Sequence, residues 1–381
     1  MPALFFVVFI DLIGFGMVIP LLPLLGESLG ASPWDVGLLM ASFSACQFVA
    51  TPLWGGLSDR IGRKPVVLAG LLGSAVCYAL MANADAYWEL LATRSLAGLM
   101  AGNISAAFAY AADITTAENR TKAMGVVGAA FGLGFIGGPA LGGLLAGPGR
   151  AIADFAPPCW VAAGLSAAAL ALAVVTLRES LRPGSHDGRR TGFKEAIAQP
   201  VLAFPLIAIF VSTFAFAGME STFAMWSERA LAWGPRENGF MFAFMGFVSA
   251  MVQGGGTHRL ARRFGEWKTA AAGAVLLAAG MTASIFADSL ALLVAPAAAM
   301  ALGFGLVSPS LNSALSLVAK TSGMGAAMGA GRSVSTAARA LGPVAAGFLF
   351  GAAGKTAPFV SGAVLLAGLA AAVALRLRKA A

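Results

Sequence analysis

Charged side chains are scarce in this chain: Asp, Glu, Lys and Arg together make up 11% of its 381 residues. A typical soluble domain contains about 25%. Apolar residues make up 59%, and a soluble fold has too little interior to hide so much apolar surface. The composition therefore excludes a cytosolic enzyme, a secreted disulfide scaffold and a disordered chain. It predicts an integral membrane protein.

Histidine and cysteine are also few. His186 and His258 both lie in basic loops, so proton chemistry within the membrane would have to use carboxylates. Cys46, Cys77 and Cys159 lie in or beside apolar segments without metal-site spacing, so we expect neither a disulfide framework nor a metal site. The sequence contains no zinc-protease motif, no ATP-binding glycine loop and no Ser/His/Asp set, which argues against a membrane-embedded enzyme.

Long apolar runs are abundant. A helix needs about 20 mostly apolar residues to cross a membrane, and twelve segments of the sequence meet this requirement. The first segment has no basic region before it and no small-residue cleavage site, so we expect it to be retained as a span. The predicted spans are residues 3–23, 34–55, 65–83, 88–112, 123–146, 157–177, 201–225, 236–256, 268–287, 289–314, 323–349 and 356–376.

A polar stretch, residues 178–200, divides the chain into two halves, 1–177 and 201–381. Basic residues mark the cytoplasmic loops of membrane proteins. If both termini are cytoplasmic, eighteen of the 25 basic residues fall in inside loops or the tail, and only four fall in outside loops. We therefore expect an all-α integral membrane fold of twelve transmembrane helices in two pseudo-symmetric six-helix halves. The basic charge then faces the cytoplasm and does not indicate nucleic-acid binding.

The two halves resemble each other at three places, in the same order along the chain. The matching pairs are Ala31–Gly37 with Trp233–Gly239, Leu57–Gly62 with Leu260–Gly265, and Gly138-Pro139 with Gly342-Pro343. The first pair predicts a helix start in each half, with a cap, then a proline, then an acid in the first turn. Two repeated halves are typical of transporters, with a substrate site near the middle of the membrane. A channel would need a continuous polar lining, and the repeat favours a carrier.

The loop after the second predicted span reads GGLSDRIGRK. It resembles the signature of the major facilitator superfamily between its second and third helices. The match covers every constrained position: Gly55, Leu57, Asp59, Arg60, Gly62, Arg63 and Lys64. This resemblance implies a conformational latch, and we expect Asp113 to pair with it. The corresponding loop of the second half has Arg262 in place of the acid, so no full latch is expected there.

The fifth predicted span resembles the signature of the proton antiporters in this superfamily. The match runs through Gly134, Gly138, Pro139, Gly142 and Gly143. Three of these glycines recur every four residues and make one small helix face, so a neighbouring helix can approach closely. Ordinary tight packing is the alternative interpretation.

Two further stretches resemble the drug–proton antiporter branch, especially its tetracycline exporters. They are Asp11–Pro23 in span 1 and Tyr110–Thr115 at the end of span 4. Span 4 also opens with Arg94–Gly98, which resembles the Arg-x-x-x-Gly signature that the family ties to proton coupling. The resemblance covers nearly the whole chain.

Four charged residues stand out within the spans: Asp11, Arg94, Glu220 and Arg339, with Arg332 two turns before Arg339. An ionisable group there is costly, so each is a functional candidate. Burial and a neighbouring guanidinium act in opposite directions on a carboxyl group, and their balance can bring protonation near physiological pH. We predict that Asp11 and Glu220 take up protons and that the two arginines tune them. Static ion pairs that only fix helix packing are the alternative.

Aromatic and amide side chains within the spans are candidates for substrate contact. A cavity lined by them suits amphipathic, aromatic and often cationic compounds, through buried area and cation–π contact. The candidates are Phe15, Gln47, Asn103, Phe131, Phe135, Phe214, Phe223, Phe244, Gln253 and Asn312. Lipid contact or packing is the alternative for each phenylalanine.

Together these features predict a secondary transporter that exports small amphipathic compounds, drug-like or tetracycline-like, in exchange for protons. The alternative is a proton-coupled exporter or uptake carrier of a sugar, an amino acid or another metabolite. We expect no cofactor, because the proton gradient supplies the energy. We also expect a monomer in a bacterial inner membrane.

Overall fold

The computed structural model describes residues 1–116, 119–147, 151–181, 199–319 and 324–380. All regular elements in these ranges are helical. The helices before residue 182 are α1 (Pro2–Val18), α2 (Leu22–Ser28), α3 (Pro33–Ile61), α4 (Arg63–Ala82), α5 (Tyr87–Met100), α6 (Asn103–Asp113), α7 (Arg120–Leu145) and α8 (Ile152–Thr176).

The helices after residue 198 are α9 (Pro200–Leu231), α10 (Pro235–Met251), α11 (Thr257–Phe264), α12 (Glu266–Ser284), α13 (Leu290–Val318), α14 (Met324–Ala353) and α15 (Ala357–Ala380). A π-helical segment, Val252–Gly256, connects α10 to α11.

Two repeated helix starts have the same construction. At α3, the hydroxyl of Ser32 accepts a hydrogen bond from the backbone N–H of Asp35, whose carboxylate accepts one from the N–H of Ser32. At α10, the N–H of Gly234 donates to Glu237 at 2.9 Å. A proline follows each cap, where its missing N–H is not needed. The sequence prediction of two matching helix starts is confirmed.

Two glycines make the equivalent junctions of the repeat. Gly62 joins α3 to α4 with φ +108°, and Gly265 joins α11 to α12 with φ +86°. Both angles lie in the left-handed region, which favours glycine because it has no Cβ. The tight turns therefore depend on glycine at these two positions.

The number of membrane spans differs from the predicted twelve. In the described ranges, ten helices are long and apolar enough to cross a membrane, or eleven if α1 and α2, bent by 42°, form one span. Helix α12 coincides with predicted span 268–287 but is not among them, because its first turn holds Glu266 and Lys268. The structure thus confirms an all-helical multi-pass protein, but not a count of twelve spans.

The helices form two compact units, Met1–Gly188 with Trp233–Ala243, and Arg189–Ala232 with Phe244–Ala381. In the first unit, α1 packs against α7 and α8, α3 against α5, and α4 against α8. In the second unit, α9 packs against α14 and α15, and α12 packs against α13 and α15. Each unit therefore surrounds its own membrane-embedded charged residues with packed helices.

Candidate functional site

Asp11 is the only ionisable residue of α1. Its carboxylate accepts a hydrogen bond from the hydroxyl of Ser166 on α8, at 2.8 Å. Ser166 is fully buried. A carboxylate taken from water needs such a donor, because an unpaired charge in apolar surroundings is very unfavourable. The packing of α1 on α8 therefore provides a polar partner for Asp11.

Arg94, on α5, is 3% exposed. Its guanidinium carbon lies 4.6 Å from the centroid of the Phe43 ring on α3, which is cation–π geometry. Its Nε has no hydrogen-bond partner among the described residues. The same part of the chain contains no ion pair between Asp11 and Arg94, so the direct pairing inferred from their depths is not found. Each charge instead contacts a different group.

Tyr78, on α4, was not predicted from the sequence as a site residue. Its side chain is buried and lies near both Asp11 and Arg94. We call Asp11, Ser166, Tyr78 and Arg94 the Asp11 cluster. One feature of the sequence could have identified Tyr78. It is one of only three tyrosines in the chain, and it lies within an apolar predicted span.

Glu220 and Arg339 form the ion pair of the second unit. Nη2 of Arg339 lies 3.3 Å from Oε2 of Glu220. The Glu220 side chain is 14% exposed and the Arg339 side chain 37%. Helices α9 and α14 approach closely here, because a Cβ on Gly342 would lie 2.6 Å from the carbonyl oxygen of Phe214. The structure thus joins the predicted acid to its predicted arginine partner, and their role in proton coupling stays a prediction.

Arg63 is the centre of the predicted latch. Its guanidinium binds Asp59 one turn earlier, and its Nε donates to Asp113 at the end of α6, at 3.1 Å. It also donates to the hydroxyl of Ser58 at 3.0 Å, while the hydroxyl of Ser180 donates to Asp113 at 3.3 Å. The pairing of Asp113 with the signature loop is therefore present.

Glu179 adds a carboxylate that the sequence analysis missed. It accepts hydrogen bonds from the backbone N–H groups of Arg63 at 2.8 Å and Lys64 at 3.1 Å, the first two residues of α4. Partial burial alone would raise the pKa of this carboxyl. The N–H groups of Leu181, Arg63, Lys64 and Ser180 outweigh it and hold the pKa below its usual value.

The other predicted latch residues have different surroundings. Nζ of Lys64 donates to the carbonyl oxygen of Val174 near the end of α8, at 2.8 Å. Arg60 is exposed, and a Cβ on Gly55 would meet only open space. A Cβ on Gly62 would collide with the carboxylate of Glu179. Gly62 is therefore needed both for its backbone angle and for the approach of Glu179.

The glycine face of α7 packs against α1. A Cβ on Gly138 would lie 2.7 Å from the Cα of Gly16, and one on Gly134 would lie 2.7 Å from the Cβ of Leu12. Gly142 lies equally close to the α1 backbone one turn further along. Because α1 carries Asp11, this contact also positions the candidate proton carrier. The interpretation of these glycines as an antiporter marker stays a prediction.

The remaining two residues of that signature lie elsewhere on α7. A Cβ on Gly143 would lie 2.9 Å from the carbonyl oxygen of Pro235 and 3.1 Å from the Cα of Gly239, both in the segment that belongs to the first unit. Pro139 lies inside α7, where its missing N–H leaves a backbone carbonyl of the preceding turn without its usual partner. Helix α7 thus has two closely packed faces.

An aromatic row extends from Arg94. Phe43, under the guanidinium, lies 5.2 Å from Phe15, and Phe15 lies 5.9 Å from Phe135 in an edge-on contact. Phe15 and Phe135 are half-buried. Two of the predicted substrate residues therefore lie next to each other and near the Asp11 cluster.

Three further predicted phenylalanines are also half-buried. Phe131 stacks on Phe108 at 6.0 Å, and Phe214 stacks on Phe210 at 5.7 Å. Phe244 lies on α10. The contacts found for the first two are with neighbouring rings, so their substrate role stays a prediction.

Phe223 has a packing role. It is fully buried, and its ring lies 5.7 Å from that of Trp226. This position does not support its interpretation as a substrate residue. A better aromatic candidate in the second unit is the stack of Phe216 on Phe304, with ring centroids 3.7 Å apart and both side chains half-buried. Spacing alone could not reveal this pair, because it joins two helices.

The amide candidates differ in their surroundings. Gln253 is exposed and donates to the hydroxyl of Ser249 at 2.9 Å. Asn312 donates at 2.8 Å to a carbonyl one turn earlier in its own helix, and Gln47 is half-buried. The side chain of Asn103 lies outside the described residues. Their predicted contact with substrate is not tested by this geometry.

Comparison with known proteins supports the resemblance seen in the signature loop. Residues 4–343 match the family model of the Major Facilitator Superfamily. The chain is 32% identical to the tetracycline resistance protein, class C, of Escherichia coli over 292 residues, which cover 73% of this chain and 71% of the relative. It is 31% identical to multidrug resistance protein 1 of Bacillus subtilis (strain 168) over 346 residues, covering 90% and 87%.

A solved structure with the same fold covers almost the whole chain. The crystal structure of the human organic anion transporter MFSD10 (TETRAN) aligns with a TM-score of 0.70 and 27% sequence identity, over 98% of each chain. The predicted family and its likeness to drug-efflux proteins are therefore confirmed.

Proposed function

The chain belongs to the Major Facilitator Superfamily, and we propose that it exports small amphipathic compounds in exchange for protons by alternating access. As a family member it is a multi-pass membrane transporter of small molecules. The observation that carries the finer proposal is that each unit holds a carboxylate and a candidate arginine partner within its spans. These are Asp11 with Arg94 in the first unit and Glu220 with Arg339 in the second.

Proton coupling requires a site whose preference for substrate changes with its protonation state. Protonation of Glu220 removes the charge that holds Arg339 and frees the guanidinium. Asp11 has only a hydroxyl donor in its hydrogen bond with Ser166, so its protonation requires no ion pair to break. The two carboxylates therefore respond differently to protonation. In this proposal the proton gradient supplies the energy, and no cofactor takes part.

The aromatic contacts support an amphipathic cargo. Phe15 and Phe135 in the first unit, and the pair of Phe216 and Phe304 in the second, offer half-buried ring surface. Such surface binds apolar and aromatic groups through buried area. The drug-efflux names of the relatives agree with this class of substrate.

A second candidate is the export of organic anions. Arg94 has no hydrogen-bond partner for its Nε in the described part of the chain, and the more exposed member of the second pair is Arg339. Over the described residues Arg94 has no ion pair with Asp11, and protonation of Glu220 would leave Arg339 free to attract a negative charge. The similarity to MFSD10, a protein named as an organic anion transporter, favours this candidate over a sugar or amino acid carrier.

Transport by the purified protein in liposomes with an internal pH dye tests both candidates. The substrates are a tetracycline, a cationic dye, an aromatic carboxylate and a sugar. We expect gradient-driven transport of the amphipathic drug, and Glu220→Gln or Asp11→Asn should abolish it while substrate exchange without a gradient persists. Asp288→Asn, in an exposed loop, is the control and should behave as the wild type.

The other results decide between the alternatives. Transport of the carboxylate alone would establish the organic-anion carrier. Transport of the sugar alone would contradict both. Gradient-driven transport that survives in both acid variants would show that Asp11 and Glu220 only stabilise the helices.

A further inference from the structure

An apolar groove runs between α12 and α15 in the second unit. Its volume is about 640 Å³. Ala278, Ala363 and Ala370 form a buried floor, and its two rims are exposed. All lining residues but Thr282 are alanine or valine. Because these side chains are small, the surface between the two helices is concave. We call this surface the α12–α15 groove.

The groove has the length of one bilayer leaflet. Its lining on α15 runs from Ala363 to Ala374, which is about 16 Å at a rise of 1.5 Å per residue. The hydrocarbon core is about 30 Å thick, so one leaflet is about 15 Å. Because α15 is long and apolar enough to cross a membrane, we expect the exposed opening to face hydrocarbon, where an apolar chain would fill it.

Two basic residues flank one end of the groove. Lys268 lies two helical turns before Val275 on α12, and Arg378 lies one turn after Ala374 on α15. These spacings put both residues on the groove faces of their helices. The start of α12 and the end of α15 lie at the same end of the groove, because the guanidinium carbon of Arg376 is 5.7 Å from the ring centroid of Trp267. Both side chains are exposed, as expected at the membrane surface.

An aromatic cluster lies beside these charges. The guanidinium carbon of Arg376 is 4.6 Å from the ring centroid of Phe204 and 5.7 Å from that of Trp267. Tryptophan is enriched at the level of the lipid headgroups. Trp267 thus marks the same end of the groove as a membrane–water interface.

We propose that the α12–α15 groove binds a membrane phospholipid with an anionic headgroup. One acyl chain lies on the alanine floor, and the headgroup phosphate lies between Lys268 and Arg378. The apolar lining binds the chain by burial of area, and the two cations select negative charge. This site does not depend on the transported substrate, so it stands apart from the proposed function.

A second copy of the protein fits this surface poorly. A two-fold symmetric contact in the membrane would place the same patch of both copies together. Two concave grooves would then face each other and leave a void, and four basic side chains would meet at the same depth. A single lipid fills the concave surface and neutralises the charge.

Fluorescence quenching by brominated lipids tests the proposal. The full chain is placed in nanodiscs of phosphatidylcholine with increasing fractions of acyl-brominated phosphatidylglycerol or acyl-brominated phosphatidylcholine. The signal of Trp267 is the difference between the wild type and Trp267→Phe. We expect the anionic lipid to quench this signal at a lower mole fraction than phosphatidylcholine.

Variants separate the two parts of the site. Lys268→Gln combined with Arg378→Gln should remove the preference for phosphatidylglycerol, while Ala367→Phe should fill the groove and reduce quenching by both lipids. Arg259→Gln, an exposed arginine of α11, is the matched control and should leave the preference unchanged. Equal quenching by the two lipids in the wild type would overturn the proposal, as would a preference that survives the double variant.

Native mass spectrometry of the wild type gives a measurement that requires no variant. We expect at least one phosphatidylglycerol molecule to stay bound after detergent exchange, and fewer phosphatidylcholine molecules under the same conditions. A dimer that forms in place of lipid binding, and that Ala367→Phe disrupts, would instead establish the groove as a contact between copies and overturn the lipid site.

Discussion

At the scale of single residues, the membrane-embedded charges differ in what neutralises them. Glu220 has an ion pair with Arg339, whereas Asp11 is bonded, among the described residues, to the hydroxyl of Ser166 alone. In the same part of the chain Arg94 contacts a ring and forms no ion pair with a carboxylate. A carboxylate with a neutral donor can take up a proton without disrupting an ion pair. We therefore expect Asp11 to exchange protons more readily than Glu220.

Tyr78→Phe tests the connection within the Asp11 cluster. The change removes the hydroxyl of a side chain that lies near both Asp11 and Arg94, but it keeps the ring. We expect a shifted pH dependence of gradient-driven transport, because the electrostatic surroundings of Asp11 change, with normal substrate exchange. The measurement is the transport rate in liposomes across a pH series.

Tyr110→Phe is the control for that prediction. Tyr110 is also a buried tyrosine of the first unit, 6% exposed against 4% for Tyr78. The same pH profile in both variants would show that the Tyr78 hydroxyl has no part in proton coupling.

At the scale of helices, close packing is concentrated on particular faces. Along α7 a Cβ on Gly138 would strike the α1 backbone, whereas a Cβ on the adjacent Gly137 would meet nothing within 4 Å. Gly137 and Gly138 are adjacent in the same motif of the same helix, but their side-chain positions point towards different surroundings. Neighbouring glycines in one motif therefore have different structural roles.

Gly138→Ala should destabilise the protein, and Gly137→Ala should not. Forcing a methyl group into a packed contact costs about 1–3 kcal/mol. At an open helical position, alanine is favoured over glycine by about 0.5–1 kcal/mol. The measurement is unfolding of the two purified variants in detergent, compared with the wild type. Equal loss of stability in both would contradict the close contact of α7 with α1.

Glu179 acts on α4 as an end cap supplied by the segment after α8. Its pKa is lowered in the folded protein, so its stabilising effect is present above its ordinary pKa and is lost as the pH falls through the lowered value. Glu179→Gln removes the negative charge at the start of α4 but keeps an acceptor oxygen, so it should reduce stability at pH 7 by about 0.3–1 kcal/mol, the usual effect of a charge at a helix end. The deficit should shrink in acid, where the wild-type carboxylate is itself neutralised.

Thermal unfolding at neutral and acidic pH measures that effect, with Asp288→Asn as the exposed carboxylate control. A deficit independent of pH would mean that the negative charge of Glu179 does not cap α4.

At the scale of the whole molecule, the distribution of basic residues predicts the orientation in the membrane. The loop between α3 and α4 and the end of α15 are basic, whereas the loop between α4 and α5 contains Asp85 and no basic residue. Loops that carry most Lys and Arg stay in the cytoplasm. Both termini should therefore be cytoplasmic.

Single-cysteine labelling in intact bacterial cells tests this orientation. In a background without the native cysteines, Asp85→Cys should react with an impermeant maleimide, and Arg60→Cys should react only after the cells are permeabilised. The side chains at positions 60 and 85 are both exposed, so burial would not prevent either cysteine from being labelled. The opposite pattern would reverse the predicted orientation.

The sequence predicted helix locations better than helix lengths. The predicted span 34–55 is within α3, which continues to Ile61 because the signature loop is still helical up to Gly62. The predicted span 3–23 is a bent pair, α1 and α2, because the chain turns before Pro23. Hydropathy detects the apolar middle of a helix, but polar turns and bends at its ends depend on capping and packing.

By itself, the sequence determined the family, the multi-pass helical class, the repeated helix starts and the loop that binds Asp113. These depend on local composition and on short motifs. Only the tertiary structure decided that Asp11 bonds to Ser166 and not to Arg94, that Tyr78 lies near both, and that Glu179 caps α4. The physical reason is that depth along a helix follows from the sequence, whereas the direction of a side chain around the helix axis, and the helix it meets, follow from packing.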